Sequence, residues 1–343
     1  MRVFVTGHLG YIGSVLVPLL QGRGHEVTGC DIGYYEECRL DGTPFDIVFL
    51  RKDIRALTAQ DLADMDAVIH LAALSNDPLG DLNPSLTEDI NFKGTAHLAV
   101  CAKNAGVKRF VFSSSQSMYG ISESVEELDE DKSSKHPLTA YADTKWRAEE
   151  AIRALASDDF IVTVLRPSTV FGVSPYLRSD IVLNSLTGSA YTAGVIEIKS
   201  DGTPWRPVLH VQDAAMAFML ALEAPADIVQ KQAFHVGYPH GNYTVREIAE
   251  AVQKAVPKSK VTYTGEHGSD ARTYKISFKK FYNAFGDRFA PQWTMQKGAE
   301  ELVSFFGRIG FTEDDFRGRR TNRLLQIKHL LDTKRVNAQL EWI

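Results

Sequence analysis

The sequence predicts an α/β fold, a doubly wound parallel sheet joined to a smaller C-terminal α+β part. Three observations carry that expectation. Short runs rich in Val, Ile and Phe recur through the first half with helix-length stretches between them, the rhythm of strand–helix–strand units. Several runs are continuously apolar, which suits strands buried on both faces. A turn spaced by glycines joins the first run to the first helical stretch.

The elements follow in order. Arg2–Val5 is the first strand, and the apolar periodicity from Ile12 to Leu20 is the first helix. His25–Cys30, Ala67–Leu71, Arg109–Ser113 and Phe160–Leu165 are further strands. After Gly172 the rhythm breaks at Pro175, Gly188, Gly194, Gly202, Pro204 and Pro207. Val208–Val211 and Phe234–Val236 read as strands again, joined by a helical stretch Asp213–Leu222, and together they read as a return to the sheet domain. The expected division is therefore 1–172 plus 208–237 for that domain, and 173–207 plus 238–343 for the smaller one. Thr244-Val-Arg-Glu247 has the capping-box spacing, and Val245, Ile248, Ala249 and Val252 share the face of the helix it opens. From Thr312 the tail reads as one or two charged amphipathic helices. Its Arg317, Arg319, Arg320, Arg323 and Lys328 interleave with Glu313, Asp314, Asp315, Asp332 and Glu341, the pattern of a solvated or subunit-facing helix rather than a nucleic-acid surface.

Composition bounds the function. The 343 residues carry 38 Lys+Arg against 43 Asp+Glu, a net charge of −5, with 44% hydrophobic and 24% charged residues. These ordinary values exclude disordered, collagen-like and disulfide-scaffold classes. The mild acidity argues against a polyanion-binding surface, although it leaves room for one small phosphorylated ligand. Cys30, Cys38 and Cys101 are an odd number of thiols without paired spacing, as expected of a reducing compartment, and they form no metal-ligand pattern. The N-terminal run lacks an h-region, and no stretch approaches the ~18 apolar residues of a membrane span. The expectation is a cytoplasmic protein without membrane or nucleic-acid partners.

Gly7-His-Leu-Gly10-Tyr-Ile-Gly13 follows the first strand and opens the first helix. Glycines there let the backbone approach a pyrophosphate, whose charge the helix N-terminus favours. Asp31 ends the next strand at close to the ~20-residue spacing of a carboxylate that binds ribose hydroxyls. Such a carboxylate repels a 2′-phosphate, which points to NAD rather than NADP. The expected sheet is therefore of Rossmann type.

The glycine spacing, G-x-x-G-x-x-G, together with Asp53-Ile54, His70-Leu71-Ala72-Ala73, Asn91-Phe-Lys-Gly-Thr95, Ser113-Ser-Ser115 and Tyr141-Ala-Asp-Thr-Lys145, resembles the extended branch of the short-chain dehydrogenase/reductase superfamily. The nearest resemblance within it is to NAD-dependent nucleotide-sugar epimerases and dehydratases. It implies that Gly7, Leu9, Gly10, Tyr11, Ile12, Gly13 and Asp31 hold the dinucleotide. It places Asp53 and Ile54 at the adenine, and Leu71, Ala72, Ala73, Asn91 and Ser113 along the cofactor cleft. It also implies a homodimer through a four-helix bundle.

Tyr141 and Lys145 sit at i and i+4, on one helical face. A phenol with a pKa near ~10 is a poor base at neutral pH, and a neighbouring cation favours the phenolate. By the resemblance Ser115 bonds the reacting hydroxyl, Tyr141 moves its proton, and Lys145 also holds the nicotinamide ribose. Relatives that dehydrate or decarboxylate carry carboxylates, and one 3,5-epimerase type a Cys, where this chain has Gln116 and Ser117. Neither titrates near neutrality. What remains is oxidation of a sugar C4 hydroxyl and return from the other face, a C4 epimerisation. A net 4-dehydrogenase or 4-keto reductase, or a C2-epimerase, would use the same residues. A dinucleotide-binding regulator is the non-enzyme alternative, and the presence of both Tyr141 and Lys145 speaks against it.

The substrate side by resemblance includes Ser75, Ser115, Gln116, Ser117, Thr169, Arg178, Arg206 and Arg272. Arg206 in Asp201–Asp213 and Arg272 beside Tyr274 match diphosphate-binding segments, and two guanidinium groups would give bidentate, charge-assisted bonds. After Leu165-Arg-Pro many relatives carry an Asn where this chain reads Ser168-Thr169. Arg178 is a third phosphate candidate.

Overall fold

In the computed structural model six strands, β1 (Arg2–Thr6), β2 (Glu26–Asp31), β3 (Val48–Arg51), β4 (Ala67–His70), β5 (Arg109–Ser113) and β6 (Ile161–Pro167), occupy the first half. The second holds β7 (Thr169–Phe171), β8 (Val195–Ile198), β9 (Trp205–His210), β10 (Gln232–Val236), β11 (Asn242–Thr244) and β12 (Lys260–Tyr263). The structure describes residues 1–42, 47–122, 126–265 and 273–343. Helices of ten residues or more among them are α1 (Gly13–Gly22), α2 (Thr95–Asn104), α3 (Ala140–Ala154), α4 (Val182–Ala193), α5 (Val211–Glu223), α6 (Val245–Ala255), α7 (Met295–Ile309) and α8 (Arg323–Asp332).

The main sheet runs β10-β6-β5-β4-β1-β2-β3, with every neighbouring pair parallel. This is the doubly wound sheet the sequence predicts. Alternation along the strands builds its two cores. Val3, Val5, Ile69, Val111 and Leu165 join Leu16, Val17 and Leu20 of α1 and Ala214, Ala217 and Phe218 of α5. Phe4, Val68, Phe110, Phe112, Val162 and Val164 face the other way, onto Leu98 of α2 and Ala148 and Ile152 of α3. Each large apolar side chain so buried contributes roughly 1.5–3 kcal/mol.

Five strands, β3, β7, β8, β11 and β12, are absent from the sequence reading, and one is displaced. Of these, β3 is an edge strand whose Val48 and Phe49 remain exposed, so its run is short and flanked by charge. The strand expected at Val208–Val211 starts earlier, at Trp205, and lies outside the main sheet. As β9 it pairs with β7 and β11 in a three-stranded sheet. Phe234–Val236 does join the main sheet, within β10.

The tail differs most. Arg323, Gln326, Ile327 and Leu330 of α8 are buried, and Ile327, Leu330, Val336 and Leu340 pack into the same core as Phe4 and Phe110. The tail also clasps the loop after β2. Gln326 Nε2 donates to the Tyr34 carbonyl at 2.8 Å and Trp342 Nε1 to that of Ile32 at 2.7 Å, while the Tyr34 hydroxyl donates to the Leu340 carbonyl. The solvated or subunit-facing helix expected there instead packs into the core of its own chain. α6 begins as expected, with the reciprocal capping of Thr244 and Glu247.

Candidate active site

Strand order reverses between β1 and β4, and a crevice opens at their carboxyl ends, the place where sheets of this kind bind ligands. The glycine turn forms its floor. Gly7 has φ +75°, and a Cβ there would lie 2.8 Å from the Ala72 amide nitrogen. A Cβ at Gly10 or Gly13 would meet the Gly7 carbonyl oxygen at 2.9 Å or 2.2 Å. No side chain caps α1, and its first turn carries no acid, so the positive end of the helix is left for a ligand.

Asp31 ends β2 beside this turn. Its carboxylate accepts from the amides of Leu9 at 3.1 Å and Gly33 at 2.8 Å. Burial pushes its carboxyl above the usual range. Asp53 also lines the crevice, but its carboxylate is held by the Arg55 amide at 2.8 Å and the Arg55 guanidinium at 2.6 Å.

Asn91 lies in a π-helical segment, Glu88–Gly94. Its side chain accepts from the Leu74 amide at 2.8 Å and donates to the Leu74 carbonyl at 3.0 Å. It therefore stands behind the wall Leu71–Ala73 and pins it, rather than facing the cavity. Leu9 likewise contributes its amide to Asp31 and does not line the cavity.

Thr139 caps α3, accepting from the Ala142 amide at 3.2 Å. Tyr141 and Lys145 follow on the first turns of α3 and both line the cavity. A short helix, Asp77–Gly80, packs on Tyr141 through Gly80, where a Cβ would lie 3.0 Å from the Tyr141 Cβ. Lys145 is 3% exposed. Its Nζ donates to the Ser113 carbonyl at 2.9 Å and lies 4.8 Å from the Phe112 ring centre. With no salt-bridge partner among the described residues, burial pushes its ammonium down to about 7.

Ser115 caps the turn Gln116–Tyr119 and lies 2.8 Å from the Ser117 hydroxyl. Gln116 Nε2 donates to the Arg166 carbonyl at 2.9 Å, and its buried Oε1 has no hydrogen-bond partner. Arg178 is paired with Asp180 at 2.9 Å and reaches the Ser75 hydroxyl at 3.4 Å. Arg206 Nη1 donates to the Trp205 carbonyl at 2.9 Å.

One cavity collects Gly7, Gly10, Tyr11, Ile12, Gly13, Asp31, Asp53, Ile54, Leu71, Ala72, Ala73, Ser75, Ser113, Ser115, Gln116, Ser117, Tyr141, Lys145, Thr169, Arg178 and Arg206. Arg272 lies outside the described residues. Sequence reasoning missed Tyr34, Tyr35 and Arg323, which line the same cavity. For Arg323 a signal existed, because Arg323, Gln326, Ile327 and Leu330 share one helical face. For the others none did. The glycine cradle, the open helix end and Asp31 fit a dinucleotide.

Residues 3–237 match the NAD dependent epimerase/dehydratase family. The chain is 29% identical to a UDP-glucose 4-epimerase of Bacillus subtilis, over 89% of this chain and 95% of that one. It is 32% identical to a UDP-glucose 4-epimerase of Lactobacillus helveticus, over 74% and 81%. A solved structure of MoeE5 in complex with UDP-glucose and NAD superposes with a TM-score of 0.74 at 26% identity, covering 90% of this chain and 99% of that one. With more than half its length inside the match, and with the crevice, glycine turn and Tyr-x-x-x-Lys helix in place, the chain belongs to the NAD dependent epimerase/dehydratase family.

Proposed function

We propose that the protein is an NAD-dependent nucleotide-sugar epimerase that inverts C4 through a transient 4-keto sugar. One observation carries the reading: Ser115, Tyr141 and Lys145 line the same cavity as the glycine cradle, and Gln116 and Ser117 supply no second acid or base beside them. Bound NAD supplies the reversible hydride exchange that takes the C4 carbinol to a ketone and back. Tyr141 takes the hydroxyl proton as the ketone forms and returns it afterwards. Lys145, charged, favours the Tyr141 phenolate, and Ser115 holds the reacting oxygen. Arg206 and Arg178, which line the cavity, are the residues assigned to the sugar nucleotide's diphosphate in this reading. The UDP-glucose 4-epimerase relatives and the UDP-glucose held by MoeE5 support a UDP-sugar substrate.

Among the described residues no helix is long and apolar enough to cross a membrane. The cytoplasmic setting rests on the three free, buried thiols. The homodimer rests on the resemblance, and light scattering of the purified protein tests it.

The test is a panel of UDP-sugars followed by NMR and nicotinamide absorbance in parallel. The expected outcome is equilibration of C4 epimers with no lasting absorbance change, and a Tyr141→Phe variant slower by about 10²–10⁴-fold. Stoichiometric conversion of added NAD would replace the epimerase by a net 4-dehydrogenase.

A further inference from the structure

Arg323 is a buried cation with no anion at ion-pair distance among the described residues. It is 2% exposed and lines the cavity. Its Nη2 donates to the Tyr176 carbonyl at 2.8 Å, its guanidinium carbon lies 4.2 Å from the Tyr35 ring centre, and its Nη1 has no hydrogen-bond partner. Among the described residues no carboxylate lies within ion-pair distance of it; Asp180, the acid it feels on the far side, is already paired with Arg178. An arginine stays charged at any physiological pH, and burying such a charge unpaired is costly. A site of this kind is completed by an anionic ligand.

Its position selects the ligand. Arg323 stacks on Tyr35, on the loop that follows Asp31. Its Nη2 holds the Tyr176 carbonyl, two residues before Arg178, whose guanidinium reaches Ser75 just past the Leu71–Ala73 wall. Arg323 thus joins the loop after Asp31 to the segment that carries Arg178, and it lines the cavity that Asp31 and Tyr141 also line. A dinucleotide running from Asp31 to Tyr141 carries its diphosphate along this stretch. We propose that Arg323, contributed by the C-terminal helix outside the family-matched 3–237, binds the cofactor's diphosphate on the side opposite the glycine turn. The inference rests on the dinucleotide reading above, and goes beyond it by assigning α8 to the cofactor site.

The test uses the full chain with ligand stripped, and calorimetric titration with NAD, ADP, adenosine and UDP, alongside thermal unfolding without ligand. Loss of one charge-assisted bond predicts roughly 10–100-fold weaker NAD and ADP binding for Arg323→Met. Adenosine and UDP affinities stay unchanged, and the unliganded melting temperature holds or rises because an unpaired charge has been removed. Arg323→Lys, which keeps the charge and loses the planar fork, falls between wild type and Met, and serves alone if Arg323→Met does not fold. Three results overturn the assignment: a lower melting temperature with ADP affinity intact, equal losses for adenosine and ADP, or a loss confined to UDP. A wild-type chain that binds neither NAD nor ADP overturns the dinucleotide reading itself, and this inference with it.

Discussion

Lys145 sits where water does not solvate it, and with no salt-bridge partner among the described residues its proton is held loosely, with a pKa pushed down to about 7 by burial. At pH 8 the unliganded side chain is therefore mostly neutral. A neutral amine does nothing for the Tyr141 phenolate. Negative charge arriving with the ligand favours the ammonium and raises its pKa, so binding draws a proton from solution. Calorimetry of NAD binding at pH 8, in buffers of different ionisation enthalpy, should show uptake approaching one proton. The uptake should fade below pH 6, where Lys145 is already charged, and should vanish in Lys145→Met. Uptake that is independent of Lys145 would remove it as the responding group. On this account the catalytic pair acquires its charge as the ligand enters.

The π-helical segment Glu88–Gly94 converts an ordinary helix into a clamp. It turns Asn91 onto both backbone groups of Leu74, the residue just beyond the cofactor wall. Replacing Asn91 by Leu leaves a buried donor and a buried acceptor unmet, at a cost of about 1–3 kcal/mol each. Asn91→Leu should lower the urea midpoint and weaken NAD binding together, whereas a purely local loss would lower stability alone. The sheet that carries this wall was legible beforehand because apolar strands and a glycine turn follow from backbone sterics and burial, which act locally. Gly7 and Gly13 were legible for the same reason, whereas the Tyr141–Lys145 pair stood out only through helical spacing combined with the resemblance. Asn91 was found only by resemblance, and its target, Leu74, could not be read. β3 was missed because an edge strand needs little apolar sequence. Arg323 was read as part of a solvated or subunit-facing helix, because its burial depends on the docking of α8 more than 290 residues from the loop it touches.

A polar cluster holds the far edge of the sheet to the rest of the molecule. Arg166 of β6 is fully buried and paired with Glu149 of α3 at 2.6 Å. His235 of β10 meets the Tyr119 hydroxyl at 2.7 Å, and its amide donates to Glu130 at 2.7 Å. Burial raises the Glu130 carboxyl to about 7. Its folded value lies above its unfolded one, so the stabilising contribution of the protonated group is complete below about pH 4 and is lost as pH rises through 7. Glu130→Gln should flatten the decline in urea midpoint between pH 5 and pH 8, a difference of up to ~3 kcal/mol from wild type. An identical profile in the variant would assign the decline to other groups. The clasp of Gln326, Leu340 and Trp342 on residues Ile32–Tyr34 has a different kind of consequence, one set by time. Ribosomes deliver the chain from its N-terminus, and domains begin to fold as they emerge. The glycine turn and the Tyr141 helix are translated early, but the loop after Asp31 is braced only when residues beyond Arg323 are free to fold back on it. If Arg323 completes the cofactor site as proposed, cofactor loading follows release of this segment rather than accompanying synthesis. A messenger cut short before it would then direct a polypeptide with Tyr141 and Lys145 present and no finished place to hold NAD.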